Sequence, residues 1–549
     1  MFFSKNEDGK NIIGFMKETK KPEAQKKHGS LKMKKTIFKI SFVLICLSPG
    51  LCFPQEKIDY KIISRIKEAG FQHSQVMNTL IYLADVHGPR LSGTPDYRNA
   101  AEWSKTQMET WGLDNVRLER YESDFPGWTV ESLSVQMIEP RFASIISQPA
   151  AWTGSTPGEI TGVPVLFNFH NLDSLKLRKG ELKGKILMLP ESKPRQEPMP
   201  RVYDEQILKE TGRQINLYGP KGLGGRRHFD LREAQREDFD TFGKTRQDSI
   251  MTLLIQAEVA AVLEPSYLDN GVIGVSEASF PYFREGKAIP YIFISKEDHG
   301  RLVRMMKREV EPVIKIHQKT RFYHEPDYHV NVIGDISGHD KKRKNEIVFI
   351  GGHLDSWHGG TGASDNAAGV AVMMEVMRII KQLDIKPRRT VRIGLWGGEE
   401  QFFDGSLGYT RTHIADLLGT EEDKGELSRI SIYINHDTGD GQIRGIFLMG
   451  NEALRPFASA CLEPFHYLGV KTVTIQNSYG TDHMLFDALN IPTFEFIQDP
   501  SLYESHQWHT SMDVTDLVTE DNLKINAVVI ATLVYHAAMR DEILPRKLN

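Results

Sequence analysis

Cysteine is nearly absent from this chain, which contains three among its 549 residues. Two of them, Cys46 and Cys52, lie in an N-terminal stretch that we expect to be removed, which leaves Cys461. A chain with one cysteine has no internal disulfide, so its stability has to come from core burial and from any metal that it binds. Cys461 lies in the apolar segment "FASACLEPF", which favours a position in the core.

The chain also lacks long apolar runs and a large excess of one charge. No run reaches 18 apolar residues, so no membrane-spanning helix is predicted. Lysine and arginine number 68 against 72 acidic residues, a net charge of −4. Residues 1–52 hold eleven Lys and four acidic residues, so the chain without them has a net charge of −11. An acidic globular chain of ordinary composition is not expected to bind nucleic acid.

The N-terminal segment predicts export. Residues 33–52, "MKKTIFKISFVLICLSPGLC", combine a basic start, an apolar stretch and Ser-Pro-Gly-Leu-Cys, which is the layout of a secretory signal peptide. The polar residues 1–32 precede Met33 and are interpreted as an over-extended translation start. We therefore expect a periplasmic or extracellular protein. A lipid anchor on Cys52 is disfavoured, because Leu51 is a poor neighbour for lipoprotein processing.

The rest of the chain divides into a main domain and an insertion. Helical patterns broken at Gly-Pro and Gly-Thr-Pro come first, and strands alternate with helices in the last part of the chain. Between them, residues 150–325 contain short apolar runs and a charged stretch at 191–247, typical of a small β-rich domain with an irregular insertion. We therefore predict a discontinuous main domain, 53–149 and 326–549, with 150–325 as an inserted domain.

The last part of the chain predicts an α/β fold. Its apolar runs, such as "NEIVFIGG", "TVRIGLW" and "ISIYINHD", are nearly continuous, as strands buried on both faces are. Between the first two runs, "NAAGVAVMMEVMRIIKQL" repeats apolar residues at helical spacing. This alternation indicates an open, mostly parallel (mixed) sheet flanked by helices. In such a sheet, ligands lie at the carboxyl ends of the strands.

Residues that can bind metal or transfer protons cluster after these predicted strands. A single His-x-Asp or Glu-Glu pair is more often a solvated surface pair, but random scatter would not place every such cluster at one edge. The glycine-rich loop "GGHLDSWHGGTGASDN" can turn sharply from a strand end to a helix start, which brings His353 and Asp365 together. The residues at this edge are His353, Asp355, Asp365, Glu399, Glu400, His436, Asp437, Asp482, His483 and His509.

Three carboxylates and two imidazoles from this group form a ligand set suited to zinc, and not to copper(I) or an iron–sulfur cluster. Five such ligands with one shared carboxylate can hold two metals roughly 3.5–4 Å apart, an arrangement that activates a hydrolytic water. A carboxylate that binds no metal can act as general base, and the adjacent Glu399 and Glu400 can divide the two tasks. Asp355, two residues after His353, is placed to orient the imidazole.

The motifs "GGHLDSW…TGASDNAAG", "LWGGEE", "INHD", "GTDHMLFDALNIP" and "HTSMD" resemble the signature set of the co-catalytic zinc exopeptidases of metallopeptidase family twenty-eight. "HLDSW" and "LWGGEEQ", with an inserted middle domain, resemble most the carboxypeptidase Q-like branch. The resemblance covers nearly the whole mature chain. It implies the zinc exopeptidase fold, a protease-associated (PA) domain at 150–325 that lies over the cleft, and hydrolysis of short peptides at a free terminus.

The resemblance also implies a role for each ligand. His353 and Asp437 would bind one zinc, and Glu400 and His509 would bind the other. Asp365 would bridge the two zinc ions, and the peptide bond after it is expected to be cis.

Further residues receive roles outside the ligand set. The resemblance implies that Glu399 is the general base and Asp355 the residue that orients an imidazole. Tyr503 is the candidate for stabilising the oxyanion, although its spacing from the last ligand is loose. His358 is expected to face solvent, with a contact to substrate as the alternative. His483, in "GTDH", is expected to support either the ligands or its own loop.

Other functions stay open at this point. A non-catalytic, receptor-like binding protein on the same scaffold would be expected to have lost ligands, and all of them are present here. A single-zinc transferase similar to glutaminyl cyclase shares the fold, but His353 and Asp437, needed for a second metal, argue against it. An aminopeptidase and a carboxypeptidase or dipeptidase are both compatible with the sequence, and so is a homodimer.

Overall fold

The computed structural model describes residues 56–191, 199–217, 246–277, 288–417, 422–478 and 480–548. The predicted signal peptide, the residues before it and Cys52 lie outside the described residues, as does most of the charged stretch 191–247.

Seventeen strands lie within the described residues and form three sheets. In chain order they are β1 Asp114–Arg120, β2 Gly127–Glu139, β3 Ala143–Ser144, β4 Ser147–Pro149, β5 Ile160–Gly162, β6 Val165–Leu166, β7 Ile186–Met188, β8 Ala261–Pro265, β9 Tyr291–Ile294, β10 Val313–Tyr323, β11 Val330–Ile336, β12 Ile347–His353, β13 Thr390–Trp396, β14 Ile430–Asn435, β15 Ile443–Phe447, β16 Thr472–Thr474 and β17 Thr493–Gln498.

Helices flank these sheets. Thr94 caps one of them by accepting a hydrogen bond from the Tyr97 N–H at 3.2 Å, and Pro95 occupies its first turn, which explains the predicted break at Gly-Thr-Pro. The α-helices of the described residues are α1 Tyr60–Gln72, α2 Val76–Ile81, α3 Pro95–Thr110, α4 Leu172–Arg178, α5 Glu205–Gly212, α6 Arg246–Gln256, α7 Lys296–Met306, α8 Ala368–Gln382, α9 Asp404–Tyr409, α10 Arg455–Leu462, α11 His483–Ala488 and α12 Glu520–Met539.

The largest sheet contains eight of the described strands, in the order β1-β11-β13-β12-β14-β17-β15-β16. Its centre, β13, β12, β14 and β17, is parallel, whereas β1, β11 and β15 each have an antiparallel neighbour. The predicted open, mostly parallel (mixed) sheet with flanking helices is confirmed.

Side chains of the central strands alternate between two cores. Val348 and Ile350 of β12 pack with α1, α8 and α12, whereas Phe349 points to the opposite face and packs with α9 and α11. Both faces of the sheet are therefore covered, which accounts for the nearly continuous apolar runs. Cys461 is fully buried in the first core, as predicted.

The C-terminal helix belongs to this core. Among the described residues, α12 is the one helix long and apolar enough to cross a membrane, and 72% of its apolar window is buried. It packs against α8 and α1, and its buried side chains surround the whole helix, as in a central core helix.

Residues 121–329, here called the excursion, leave the main sheet between β1 and β11, which are neighbouring antiparallel strands. The long strands β2 and β10 pair along the base of the excursion, in a sheet ordered β3-β2-β10-β5. A third sheet, β4-β9-β8-β7-β6, lies beyond it. The predicted inserted domain, 150–325, falls within the excursion, and its limits stay a prediction.

Candidate metal centre

The carboxyl ends of the parallel strands carry the polar residues that the sequence predicts there. β12 ends at His353, while Glu399 and Glu400 follow β13, and Asp437 follows β14. Because β12 pairs in parallel with both β13 and β14, the three strand ends lie side by side. The residues that follow them therefore share one edge of the sheet.

Asp365 reaches this edge through the glycine-rich loop. Gly362 has a φ of +68°, a left-handed conformation that favours glycine, and it turns the chain toward α8. Asp365 lies in the distorted turn before α8, and its peptide bond with Asn366 is cis, as expected. A Cβ on Gly369 would lie 2.3 Å from the His436 carbonyl oxygen, so only glycine allows the first turn of α8 to approach β14 this closely.

Five side chains converge at this edge. The Nε2 atom of His353 lies 3.2 Å from Asp365 Oδ1 and 3.2 Å from Asp437 Oδ1. The Nε2 atom of His509 lies 3.4 Å from Asp365 Oδ2 and 3.0 Å from Glu400 Oε2. The two oxygens of Asp365 thus face two different histidines, each of which has a second carboxylate beside it.

Asp355 is buried on the other side of the first histidine. Its carboxylate accepts hydrogen bonds from the backbone N–H groups of Glu399 and Glu400, both at 3.3 Å. Its Oδ1 lies 3.5 Å from His353 Nδ1, the ring nitrogen that faces away from Asp365. One carboxylate therefore holds the loop after β13 against the imidazole at the end of β12.

The centre carries a surplus of buried negative charge. Burial lowers the pKa of His353, but Asp437 and Glu399 outweigh burial, so this pKa lies well above its usual value. Burial raises the pKa of Asp437, but the charge of His353 outweighs it and lowers that pKa. Burial, together with neighbouring carboxylates, raises the pKa values of Glu399 and Glu400 well above normal. Additional cations would stabilise this arrangement.

The side chains at this edge of the sheet are suited to binding a metal ion. Two buried oxygens, Asp365 Oδ2 and Glu400 Oε1, have no hydrogen-bond partner within the described part of the chain. Such oxygens destabilise a fold unless a cation satisfies them. Ligand atoms of His353, Asp365 and Glu400 lie within 4.8 Å of one another, close enough to share an ion. Imidazole and carboxylate donors together suit zinc.

Known proteins share this sequence pattern. Residues 331–534 match the profile of Peptidase family M28. Carboxypeptidase Q of Mus musculus is 26% identical to the chain, in an alignment that covers 94% of the chain and 100% of the relative. The predicted resemblance to this peptidase family is confirmed over residues 331–534, and the similarity to carboxypeptidase Q confirms the predicted branch. The predicted enzyme class, a zinc metallopeptidase, is confirmed as well.

Solved structures share the fold of this chain. A Peptidase M28 precursor from Shewanella amazonensis SB2B superposes with a TM-score of 0.62 at 23% identity, covering 89% of this chain and 99% of that one. A zinc aminopeptidase from Bacillus subtilis superposes with a TM-score of 0.52 at 18% identity, covering 86% of this chain and 97% of that one. These two structures show a common architecture.

Tyr503 lies beside the ligand cluster. A Cβ on Gly439 would lie 2.6 Å from the Tyr503 ring, so the ring packs directly against this glycine. Burial and the negative charges of Asp365 and Asp437 raise the pKa of Tyr503 well above its usual value. Its hydroxyl therefore stays protonated and can donate a hydrogen bond. The oxyanion role of Tyr503 stays a prediction.

His358 does not face solvent, and the expectation from the sequence is wrong for this residue. Its side chain is 8% exposed, and its ring packs edge-on against Trp128 at 4.9 Å. Burial lowers its pKa to about 4, so the ring is neutral, and its Nε2 donates to the Pro149 carbonyl oxygen at 2.8 Å. His358 thus joins the loop after β12 to the excursion.

Asp482 and His483 contact neighbouring segments at the strand ends, and the roles expected for them stay predictions. Asp482 accepts a hydrogen bond from the Ser406 hydroxyl. His483 Nε2 lies 3.2 Å from the Ser478 carbonyl oxygen, and its Nδ1 lies 3.5 Å from Glu495 Oε2.

Two residues that position the loop before α8 were missed by the sequence reasoning. The Asp513 carboxylate accepts hydrogen bonds from the backbone N–H groups of Ser364, at 2.6 Å, and Asp365, at 3.1 Å. The buried Arg90 guanidinium donates to backbone carbonyls of the same loop, including those of Thr361 and Gly362, both at 2.8 Å. Asp513 is the last residue of the motif "HTSMD", to which the sequence assigned no role of its own. Arg90 donates to backbone carbonyl groups only, and no sequence motif marks a residue that does so.

Replacing Asp513 tests its positioning role. Asp513→Asn is expected to weaken zinc binding by roughly 10- to 100-fold, the usual effect of altering a residue that orients a metal ligand. The reason is that an amide cannot accept from both N–H groups that the carboxylate now holds. Zinc affinity is measured by competition with a chromophoric chelator. Asp516→Asn, at an exposed aspartate three residues away, is the matched control. Equal zinc affinity in the two variants would show that Asp513 does not position the metal ligands.

Proposed function

We propose that the chain is an exopeptidase that holds two zinc ions and cleaves short peptides at a free terminus. The observation that carries the proposal is the position of Asp365, whose Oδ1 faces His353 and whose Oδ2 faces His509. A carboxylate with one histidine at each oxygen is what a bridged pair of metals requires. The match of residues 331–534 to a peptidase family and the fold shared with a solved zinc aminopeptidase support the same function.

In this proposal His353 and Asp437 bind one zinc, Glu400 and His509 bind the other, and Asp365 binds both. The division follows the distances, since each histidine approaches a different oxygen of Asp365 and a different second carboxylate. Bound zinc would supply Lewis-acid activation of water and of the scissile carbonyl near neutral pH.

Glu399 is proposed as the general base. Glu400 contacts His509, which leaves the adjacent Glu399 for proton transfer, and Asp355 holds Glu399 in place through its backbone N–H. The Glu399 carboxylate takes a proton from the water that attacks the carbonyl carbon and delivers it to the leaving nitrogen. The Tyr503 hydroxyl donates a hydrogen bond to the carbonyl oxygen as negative charge develops there.

Two features of the wider chain complete the proposal. The layout of residues 33–52 and the single cysteine after them support export to the periplasm or the extracellular space. Residues 150–325 are proposed as an inserted PA-like domain that narrows the cleft. The support is a hydrogen bond at 2.8 Å from the Val275 N–H to the His509 carbonyl oxygen, which joins this segment to a proposed ligand.

Metal analysis and a dipeptide panel test the proposal. The purified protein is expected to contain about two zinc ions per chain, as a co-catalytic pair requires. It is expected to hydrolyse free dipeptides, to lose this activity on chelation, and to regain it when zinc is restored. Dipeptides blocked at the amine or at the carboxylate identify the terminus that is needed.

Two outcomes would overturn the proposal in favour of the other functions. One zinc per chain, with cyclisation of peptides that begin with glutamine, would indicate the single-zinc transferase. A protein that binds peptides but neither retains zinc nor cleaves them would be the receptor-like relative.

A further inference from the structure

A cavity of about 460 Å³ borders one of the proposed ligands, His509, which forms part of its wall. The excursion provides most of the remaining wall, including Glu264, Tyr267, Val275 and Glu277. A pocket bordered by a proposed metal ligand can bind the part of a substrate next to the scissile bond. The chemistry of this wall therefore bears on which end of a peptide the enzyme accepts.

Backbone pairing fixes the position of Glu277 relative to the ligands. The Val275 N–H donates to the His509 carbonyl oxygen at 2.8 Å, so the segment runs beside the loop that carries this ligand. Two residues later, Glu277 forms a parallel bridge with Ala151, and the Ala151 N–H donates to the Ser276 carbonyl oxygen at 2.9 Å. Because the segment is held on both sides, the backbone position of Glu277 relative to the loop that carries His509 is set by the fold.

The cavity wall is acidic. Its described lining contains no lysine or arginine side chain, and its carboxylates are Glu264 and Glu277. Glu264 already has partners, because the Tyr291 hydroxyl donates to it and His170 Nε2 lies 3.4 Å away. Glu277 is the other carboxylate in this wall.

The electrostatic influence of Glu277 reaches the proposed ligands. Burial raises the pKa of Glu277, and the charge of His509 opposes this shift. Glu277 and His509 line the same cavity, so a cation placed between Glu277 and the scissile bond would be attracted to this carboxylate.

We propose that Glu277 binds the ammonium group of the substrate, and that this group is the free α-amino terminus. The inference rests on the proposed exopeptidase function, since it needs the scissile bond to lie at the ligands. A half-buried carboxylate binds an ammonium ion through a charge-assisted hydrogen bond, whereas a substrate carboxylate placed in the same cavity would be repelled. The cavity thus selects peptides with a free amino end, as an aminopeptidase or dipeptidase does.

Two inhibitors that differ by one amino group test this assignment. L-Leucine hydroxamate carries the α-amino group, and 4-methylpentanoyl hydroxamate is the same molecule without it; both chelate zinc. Dissociation constants are measured by calorimetry with the zinc-loaded full chain. Glu277→Gln is expected to weaken binding of leucine hydroxamate by roughly 10- to 100-fold, the range for a hydrogen bond to a charged group. Binding of the compound without the amine is expected to be unchanged.

Glu159→Gln is the matched control, because Glu159 lies in the same excursion, pairs with Lys315 on the surface and is 60% exposed. It is expected to leave both dissociation constants unchanged. A third compound, 6-aminohexanoyl hydroxamate, carries its ammonium group at the end of a side chain. If Glu277→Gln weakens this compound and spares leucine hydroxamate, the α-amino assignment is wrong.

The remaining outcomes separate this inference from the function on which it rests. Equal weakening of the compounds with and without the amine would show that Glu277 supports the site structurally, and would overturn the proposal. If neither compound binds the zinc-loaded wild type, the two-zinc function itself fails. If both compounds bind the zinc-loaded wild type and Glu277→Gln changes neither dissociation constant, the two-zinc function is supported and the proposed role of Glu277 is wrong.

Discussion

Glu399→Gln is expected to lower kcat for dipeptide hydrolysis by about 10²- to 10⁴-fold, the contribution of a general base. The amide has nearly the same size as the carboxylate but cannot take a proton from the attacking water. The contacts that hold the site do not use the replaced group: the Glu399 N–H still bonds to Asp355, and Glu400 still faces His509. Zinc content and KM are therefore expected to stay close to those of the wild type.

Steady-state kinetics and metal analysis on the same samples check this expectation. Glu122→Gln makes the same chemical change at an exposed position and is expected to have wild-type kcat. A Glu399→Gln enzyme with full zinc content and undiminished kcat would show that another group transfers the proton. A variant that has lost its zinc would instead place Glu399 among the ligands.

Asp365→Asn is expected to leave about one zinc ion or fewer per chain, because a bridging carboxylate needs both oxygens to hold a pair of metals. Altering a residue that orients a metal ligand lowers zinc affinity by roughly 10- to 100-fold. Loss of a ligand that both ions share is therefore expected to lower zinc affinity by more than about 100-fold. Activity is expected to fall with the metal. The Asp365 N–H, which donates to Asp513, is not changed by the substitution, so the loop keeps its anchor.

Zinc is counted by mass spectrometry after dialysis against a weak chelator, and unfolding is followed on the same sample. Asp384→Asn is the control, since Asp384 is 80% exposed and its left-handed φ of +51° suits asparagine. Two zinc ions retained by Asp365→Asn would mean that Asp365 does not bridge the ions. A variant that unfolds without added metal would be compared with zinc-free wild type, which separates loss of ligand from loss of fold.

The sheet and the edge that carries the site could be predicted because their signals are local. Parallel strands buried on both faces read as apolar runs, and polar residues directly after them have to lie at the carboxyl edge. His353 and Asp437 were placed in this way, and the structure brings both to Asp365. The residue types alone did not show which of Glu399 and Glu400 is the metal ligand and which is the general base. The distances favour Glu400 as the ligand, because it is the one that contacts His509.

Residues that act through long-range contacts could not be predicted. His358 lies in a polar, glycine-rich loop and was expected to face solvent, but the excursion covers it and takes its hydrogen bond at Pro149. Arg90 binds carbonyl oxygens of a loop more than 250 positions away, and any cation of suitable length could have done so. Neither contact leaves a pattern of spacing in the sequence.

By itself, the sequence determined the kinds of side chain available, the α/β alternation that places them at one edge, and the scarcity of cysteine. These follow from residue chemistry and from periodicities that repeat over a few positions. The tertiary structure alone determined which Asp365 oxygen faces which histidine, and that Glu277 lines the same cavity as His509, a residue more than 200 positions away. Such distances are set by how strands pair and how the excursion packs on the main sheet, and the chain encodes them only through the whole fold.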